Sequence, residues 1–175
     1  MKTKRFFKNF AIAVIAAGGL CWSCQSKNEY DMQVSLEGTN WKLVGIVDNT
    51  PTGELKTLKP QNCADVWEEY GEDLWGESCD WFVEMCYTLS FEKENSIIAF
   101  ATASKLIGNY EVDYNTHNMK VCLTLAEAAG EWFDDGWIYR EILQTIHSFS
   151  FTKRELRLYF NDNNNYLLFK PRRKS

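Results

Sequence analysis

Proline is scarce in this sequence, three in 175 residues, and histidine is scarcer still at two. With 45% apolar and 15% aromatic side chains beside so little proline, the chain has the composition of an ordinary globular protein and not of a disordered tail. A surplus of positive charge is missing too. Nineteen basic residues face 24 acidic ones for a net charge of −5, which leaves nothing to neutralise a phosphate backbone and sets nucleic acid aside as a partner. The uncharged apolar stretch at residues 10–20 is well short of the roughly 20 residues that a membrane-crossing helix needs. No G-x-S-x-G elbow, H-E-x-x-H helix, phosphate loop or internal repeat occurs, so the usual signatures of nucleophilic, zinc and nucleotide chemistry are lacking. His117 falls in an expected turn and His147 at a strand entrance, neither in a triad. Catalysis, a cofactor and a metal are therefore not expected.

What is present begins with an address. Lys2, Lys4, Arg5 and Lys8 precede the apolar run at residues 10–20, the pattern of a signal peptide. Leu20-Cys21-Trp22-Ser23-Cys24 resembles a bacterial lipobox, with the small Ser23 at the cleavage point and Cys24 as the residue that receives lipid. Residues 1–23 then form the signal peptide and residues 24–34 a lipidated tether. The open alternative is plain secretion with cleavage nearby. Cys21 and Cys24 also make a C-x-x-C pair, but one that straddles a processing site. Loss of residues 1–23 removes four basic side chains and no acidic one, taking the net charge from −5 to −9. Such a surface approaches anionic lipid only through its anchor. The expected location is the bacterial cell envelope, at the outer membrane.

From about Leu36 the apolar residues recur with period two, as half-buried strands require. Trp41 to Val44 opens the series, and Tyr87, Leu89 and Phe91 alternate with polar neighbours. Tyr110, Val112 and Tyr114 face Met119, Val121 and Leu123 across the turn residues Asn115 to Asn118, a hairpin pattern. Phe149 and Phe151, then Leu156, Leu158 and Phe160, then Tyr166 to Phe169 complete the run. One segment departs from it: Ile138, Ile142 and Ile146 lie four apart behind Asp134, Asp135 and Gly136, which predicts an amphipathic helix over 137–146 with acidic caps. The expected fold is α+β and mostly antiparallel, about eight strands in a curved sheet or open barrel packed on one helix.

Gly108-Asn109-Tyr110-Glu111-Val112-Asp113, Glu141-Ile142-Leu143, Ser148-Phe149, Leu156-Arg157-Leu158 and Leu167-Leu168-Phe169 follow one another in an order that resembles the META/HslJ-like domain of small bacterial envelope lipoproteins. Leu36 to Leu43 resembles the opening strand of that family. The segment between Val47 and Met85 is longer than the family's connection. The resemblance implies a lipocalin-like antiparallel β scaffold over residues 35–172, interrupted by an insert at about 48–85, and a noncatalytic envelope protein linked to stress tolerance or surface interaction. It supplies no catalytic residue.

Four cysteines remain beyond the anchor, and an even number in an exported protein favours disulfides among three possible pairings. The favoured one joins Cys63 to Cys79 across the insert and Cys86 to Cys122 between strands. Residues 64–84 carry eight acidic and no basic side chains, together with Trp67, Trp75 and Trp81. Such a charge run is ordinarily a solvated face whose aromatic residues pack back on the sheet. As a recognition surface, its tryptophans, with Glu72 and Asp73, would engage a protein or glycan partner. A third use of the scaffold is a carrier, in which Tyr87, Phe91, Tyr110, Phe149 and Phe160 line a pocket for a small apolar ligand instead of filling a core.

Overall fold

The computed structural model describes residues 35–48, 53–71, 78–127, 130–161 and 164–172. The chain divides into Met1–Gln33 and Val34–Ser175, and every described residue belongs to the second unit. The expected signal peptide, Cys24 and the tether lie outside the described residues. The strands are β1 (Asn40–Val47), β2 (Leu55–Lys56), β3 (Thr88–Phe91), β4 (Ser96–Phe100), β5 (Lys105–Asp113), β6 (Asn118–Glu127), β7 (Ile146–Phe151), β8 (Leu156–Phe160) and β9 (Asn165–Pro171). Helices α1 (Cys63–Tyr70) and α2 (Ser78–Met85) fall between β2 and β3, and α3 (Asp134–Leu143) between β6 and β7.

Strands β3 to β9 pair with their sequence neighbours in antiparallel fashion, and β1 closes the ring by pairing with both ends of that series. One edge of β1 is divided: Asn40 to Lys42 meets β3, while Ile46 and Val47 take the short β2. Its other edge runs along β9 from Trp41↔Pro171 to Val47↔Tyr166. The result is an eight-strand ring with β2 as an addition, which leaves few free strand edges to seed aggregation. The seam between β6 and β7 is the thinnest part of the wall, joined in register only at Asn118↔Ser148. The α+β, mainly antiparallel expectation holds, with nine strands among the described residues and three helices in place of the single one expected.

Alternation fills the ring from every side. Trp41 and Leu43, Leu89 and Phe91, Ile97 and Ala99, Leu156 and Leu158, and Leu167 and Phe169 are all buried inward. Helix α3 sets Tyr139 and Leu143, both fully buried, into this core. The Tyr139 ring stands edge-on to Tyr87 at 5.4 Å, and its hydroxyl donates to the Thr88 carbonyl at 3.2 Å. Close approach needs a glycine at position 108, where a Cβ would sit 1.9 Å from the Cys122 carbonyl oxygen on β6.

Three expectations are corrected here. The expected helix over 137–146 begins at Asp134 and ends at Leu143, because Ile146 already pairs with Phe160 in β7. Asp134 and Asp135 sit in its first turn and do not cap it: Phe133 holds the cap position without a side-chain bond, and Asp135 Oδ2 instead accepts from the Lys59 backbone N–H at 2.8 Å. Cys63 and Cys79 are bonded, but the Cys86–Cys122 bridge is not formed. Cys86 is buried below α2, whereas Cys122 follows the inward Val121 and faces outward, so the two thiols lie on opposite sides of the wall. Burial pushes the Cys86 thiol up to about 12, which keeps it protonated and unreactive at neutral pH. A maleimide at about pH 7.5 is therefore expected to label Cys122 within minutes and Cys86 only after denaturation, read by peptide mass mapping; equal labelling of the folded protein would contradict this placement.

Candidate binding surface

The acidic passage is built as a pair of short helices. Asn62 starts α1 by accepting from the Ala64 and Asp65 backbone N–H groups at 2.8 and 3.3 Å, and the Gln61 N–H donates to Asp65 Oδ2 at 2.6 Å. The Cys63–Cys79 bridge, with Cα atoms 5.6 Å apart, ties the start of α1 to the start of α2. At the far end of α2, Lys42 reaches over from β1 and donates through Nζ to the Val83 and Cys86 carbonyls at 2.5 and 2.6 Å. A cation there satisfies the unpaired carbonyls of a helix end and complements its dipole. Burial lowers the Lys42 pKa from the ordinary lysine value. Val66, Cys79 and Phe82 form the buried side of the pair.

The outward side is aromatic and acidic. Trp67 on α1, Trp81 on α2 and Trp132 and Trp137 at α3 all stand exposed, Trp81 most of all at 68%. Trp132 bridges the helices: its ring lies 5.4 Å from Tyr70 of α1 and 6.1 Å from Phe82 of α2. Trp67 and Tyr70, three apart, share one side of α1. Helices α1 and α2 carry Asp65, Glu68, Glu69, Asp80 and Glu84 and no basic residue. Two cations border them, Lys59 on Glu68 at 3.1 Å and Arg172 on Glu84 at 3.0 Å. These exposed pairs add little stability, and five carboxylates against Lys59, Arg172 and Lys42 at the end of α2 leave the two helices net negative.

Of the candidates named from the sequence, Trp67 is exposed on α1 and Trp81 on α2, while Trp75, Glu72 and Asp73 lie outside the described residues. Trp132 joins α1 and α2 from beyond the acidic run through Tyr70 and Phe82, and Trp137 is exposed on α3, with no charge pattern of their own to mark them. Trp137 is legible in principle, since the Ile138–Ile142 stripe leaves it on the solvent face of its helix. The aromatic residues expected to line a carrier pocket are core: Phe91 and Tyr110 stand edge to face at 4.9 Å, and Tyr87, Phe149 and Phe160 are buried with them in one cluster, of which Phe149 also borders a surface cleft.

Behind this surface lies a buried polar lock. Glu131, whose side chain is wholly buried, accepts at Oε2 from the Thr102 N–H, the Thr102 hydroxyl and the Ala103 N–H at 2.9 to 3.0 Å. Its Oε1 takes Arg140 Nη1 at 3.1 Å, and the Arg140 guanidinium lies over the Trp137 ring at 4.5 Å. Burial would raise the Glu131 pKa, but the donors from Ser104, Ala103, Thr102 and Arg140 outweigh it and hold the carboxyl below its ordinary value. Gly136 leaves room for the lock, because a Cβ there would meet Glu131 Oε2 at 2.7 Å and Thr102 Oγ1 at 2.8 Å. Among the described residues no group of three or more His, Cys, Asp or Glu side chains could hold a metal.

This is a filled antiparallel barrel with a helical end and an aromatic, acidic surface, and comparison with known proteins agrees at the level of fold. No protein-family model matches the chain. A Tannerella forsythia protein described as "Putative lipoprotein" is 24% identical over 170 residues, spanning 97% of both chains. The crystal structure of a DUF4847 family protein from Bacteroides vulgatus superposes with a TM-score of 0.52 at 9% identity, over 80% of this chain and 96% of that one. The NMR structure of a protein from Burkholderia xenovorans gives 0.53 at 17% identity, over 79% and 85%.

Proposed function

We propose that this is a noncatalytic, lipid-anchored protein of the bacterial envelope whose helical end docks a basic segment of a partner protein. The observation that carries the reading is that each of the two helices exposes a tryptophan, Trp67 on α1 and Trp81 on α2, among its carboxylates. Tryptophan is enriched among the residues that dominate binding energy, and a field of one sign steers and selects a partner of the other. The anchor rests on the lipobox-like Cys24 and on the lipoprotein relative, whose match spans nearly the whole chain. The division into a signal peptide at 1–23, a tether at 24–34 and a β domain at 35–172 with its insert at about 48–85 belongs to the same proposal. So does an outer-membrane location and a role of the META/HslJ kind in stress tolerance or surface interaction.

Each added CH₂ of buried acyl chain contributes about 0.8 kcal/mol, so two or more chains hold such a protein on its bilayer. Metabolic labelling with a clickable fatty acid is expected to mark the wild-type chain and to vanish in Cys24→Ala; unchanged labelling in that variant overturns the anchor. For the docking surface, a photo-crosslinking amino acid in place of Trp81 is expected to capture a neighbouring protein in intact cells. Reversing Glu68 and Glu69 to lysine should cut that capture about tenfold or more while the fold persists, since exposed substitutions shift stability by roughly 0.5 kcal/mol or less. Capture that is indifferent to the charge reversal would refute a basic partner.

A further inference from the structure

An open cleft of about 770 Å³ lies beside the single β6–β7 pairing, lined by the β5–β6 turn, β7 and the end of β8, residues that the helical surface does not use. His117 reaches it from the β5–β6 turn, Asn118 from the start of β6, His147 and Ser148 from β7, and Tyr159 and Asn161 from the end of β8. Both histidines of the chain thus converge on one cleft although 30 positions separate them. The volume falls in the range of small-molecule sites.

The chemistry of this lining is selective. Among the described residues it is made of amide, hydroxyl and imidazole groups, with two charged side chains at its border: Asp113 acts on His117, and Arg157 is hydrogen-bonded to Tyr159. It also carries an aromatic ring held in place: the Tyr159 hydroxyl lies 3.2 Å from Ser150 Oγ, and its ring lies 5.5 Å from that of Tyr166. His117 is fixed by a left-handed backbone, φ +60°, by its carbonyl accepting the Phe149 N–H at 2.9 Å, and by its ring resting on Phe149 at 5.9 Å. His147 Nε2 is buried and has no hydrogen-bond partner, a deficit that folded proteins rarely leave unfilled.

Uncharged hydrogen-bonding groups around a fixed aromatic ring match a ligand that has hydroxyls on its edge and an apolar C–H face. We infer that the cleft bounded by the β5–β6 turn, β7 and the end of β8 is a binding site for a neutral saccharide, with Tyr159 as the stacking platform and Asn118 and Asn161 as hydrogen-bonding partners. A single transition-metal ion held by the two histidines is the competing use. Among the described residues it would find the two imidazoles and no group of three or more His, Cys, Asp or Glu, where stable sites take about three or four ligands.

The test is a ¹H–¹⁵N NMR titration of the lipidated protein, held in a detergent without a sugar headgroup, against cellobiose, chitobiose, mannobiose and galactobiose. At least one disaccharide is expected to shift the amides of His117, Asn118 and Ser148 with saturation below about 10 mM. Tyr159→Ala and Asn161→Ala should each weaken that binding about fivefold or more while the remaining amide spectrum is unchanged. Two variants at separate positions keep the result readable if one of them disturbs the fold. No shift with any of the four sugars overturns the proposal, and so does perturbation of the two histidines by Zn²⁺ alone. Because Trp81 variants should bind sugar normally, failure here leaves the helical docking surface untouched, and the reverse holds as well.

Discussion

Glu131→Ala is expected to lower folding stability by about 3–5 kcal/mol, the cost of removing one partner from a buried ion pair and leaving the other uncompensated. The alanine variant strands the Thr102 N–H and hydroxyl, the Ala103 N–H and the Arg140 guanidinium, whose side chain is only 14% exposed. For a domain of this size the loss corresponds to a fall in melting temperature of roughly 10–15 °C. Glu131→Gln keeps the shape and part of the hydrogen bonding, and is expected to cost less, about 1–3 kcal/mol. The pH dependence separates charge from shape. The Glu131 carboxyl titrates below its unfolded value, so its contribution is fully present above the unfolded carboxylate pKa and is lost as the pH falls through the lower folded one. Wild type should therefore lose stability more steeply than Glu131→Gln as the pH falls below about 4.5, measured by urea unfolding at each pH. A Glu131→Ala midpoint within about 2 °C of wild type, or identical acid slopes in wild type and Glu131→Gln, would show that the lock is not a stabilising element.

No local signal marks that lock in the sequence. Glu131 stands between Gly130 and Trp132 as one more acid in an acidic chain, and only the fold brings Thr102, 29 positions earlier, over its carboxylate. The same limit applies to ring closure, since the pairing of Trp41 with Pro171 has no local signal in either strand. The strands themselves are readable because a half-buried sheet imposes a period of two that each segment shows by itself. The acidic insert reads as an excursion and not as helices, because two eight-residue helices separated by glycines give too little periodicity to register; Asn62 with Asp65 three places on is the one local mark of a helix start. The cysteines carry a signal in the alternation that their even number obscures. Period two sets Val121 inward, so Cys122 must face out, and that argues against a bridge to Cys86 without any coordinates.

Breaking the remaining bridge, with Cys63→Ser and Cys79→Ser together, is expected to cost about 3 kcal/mol, the chain-entropy value for closing a loop of roughly this length. The effect should be uneven across the molecule. The barrel closes through β1 and β9 and does not depend on the insert, so β4, β5 and β8 are expected to keep their amide protection in hydrogen exchange. Helices of eight residues are marginal in isolation, and α1 has no basic residue in its last turn, whereas Lys42 supplies a cation to the end of α2. Protection in α1 should therefore fall first, followed by α2, where Val66 and Phe82 still hold the pair to the core. Trp67 and Trp81 lose their fixed spacing in the same step, so photo-crosslinking from position 81 should weaken along with α1 protection, while saccharide shifts at His117 and Ser148 stay as they are in wild type. Reduced wild-type protein should reproduce the double variant, because the oxidising compartment of an exported chain is what maintains the bridge. Uniform loss of protection across barrel and helices alike would mean that the disulfide acts on global stability only and does not shape the docking surface.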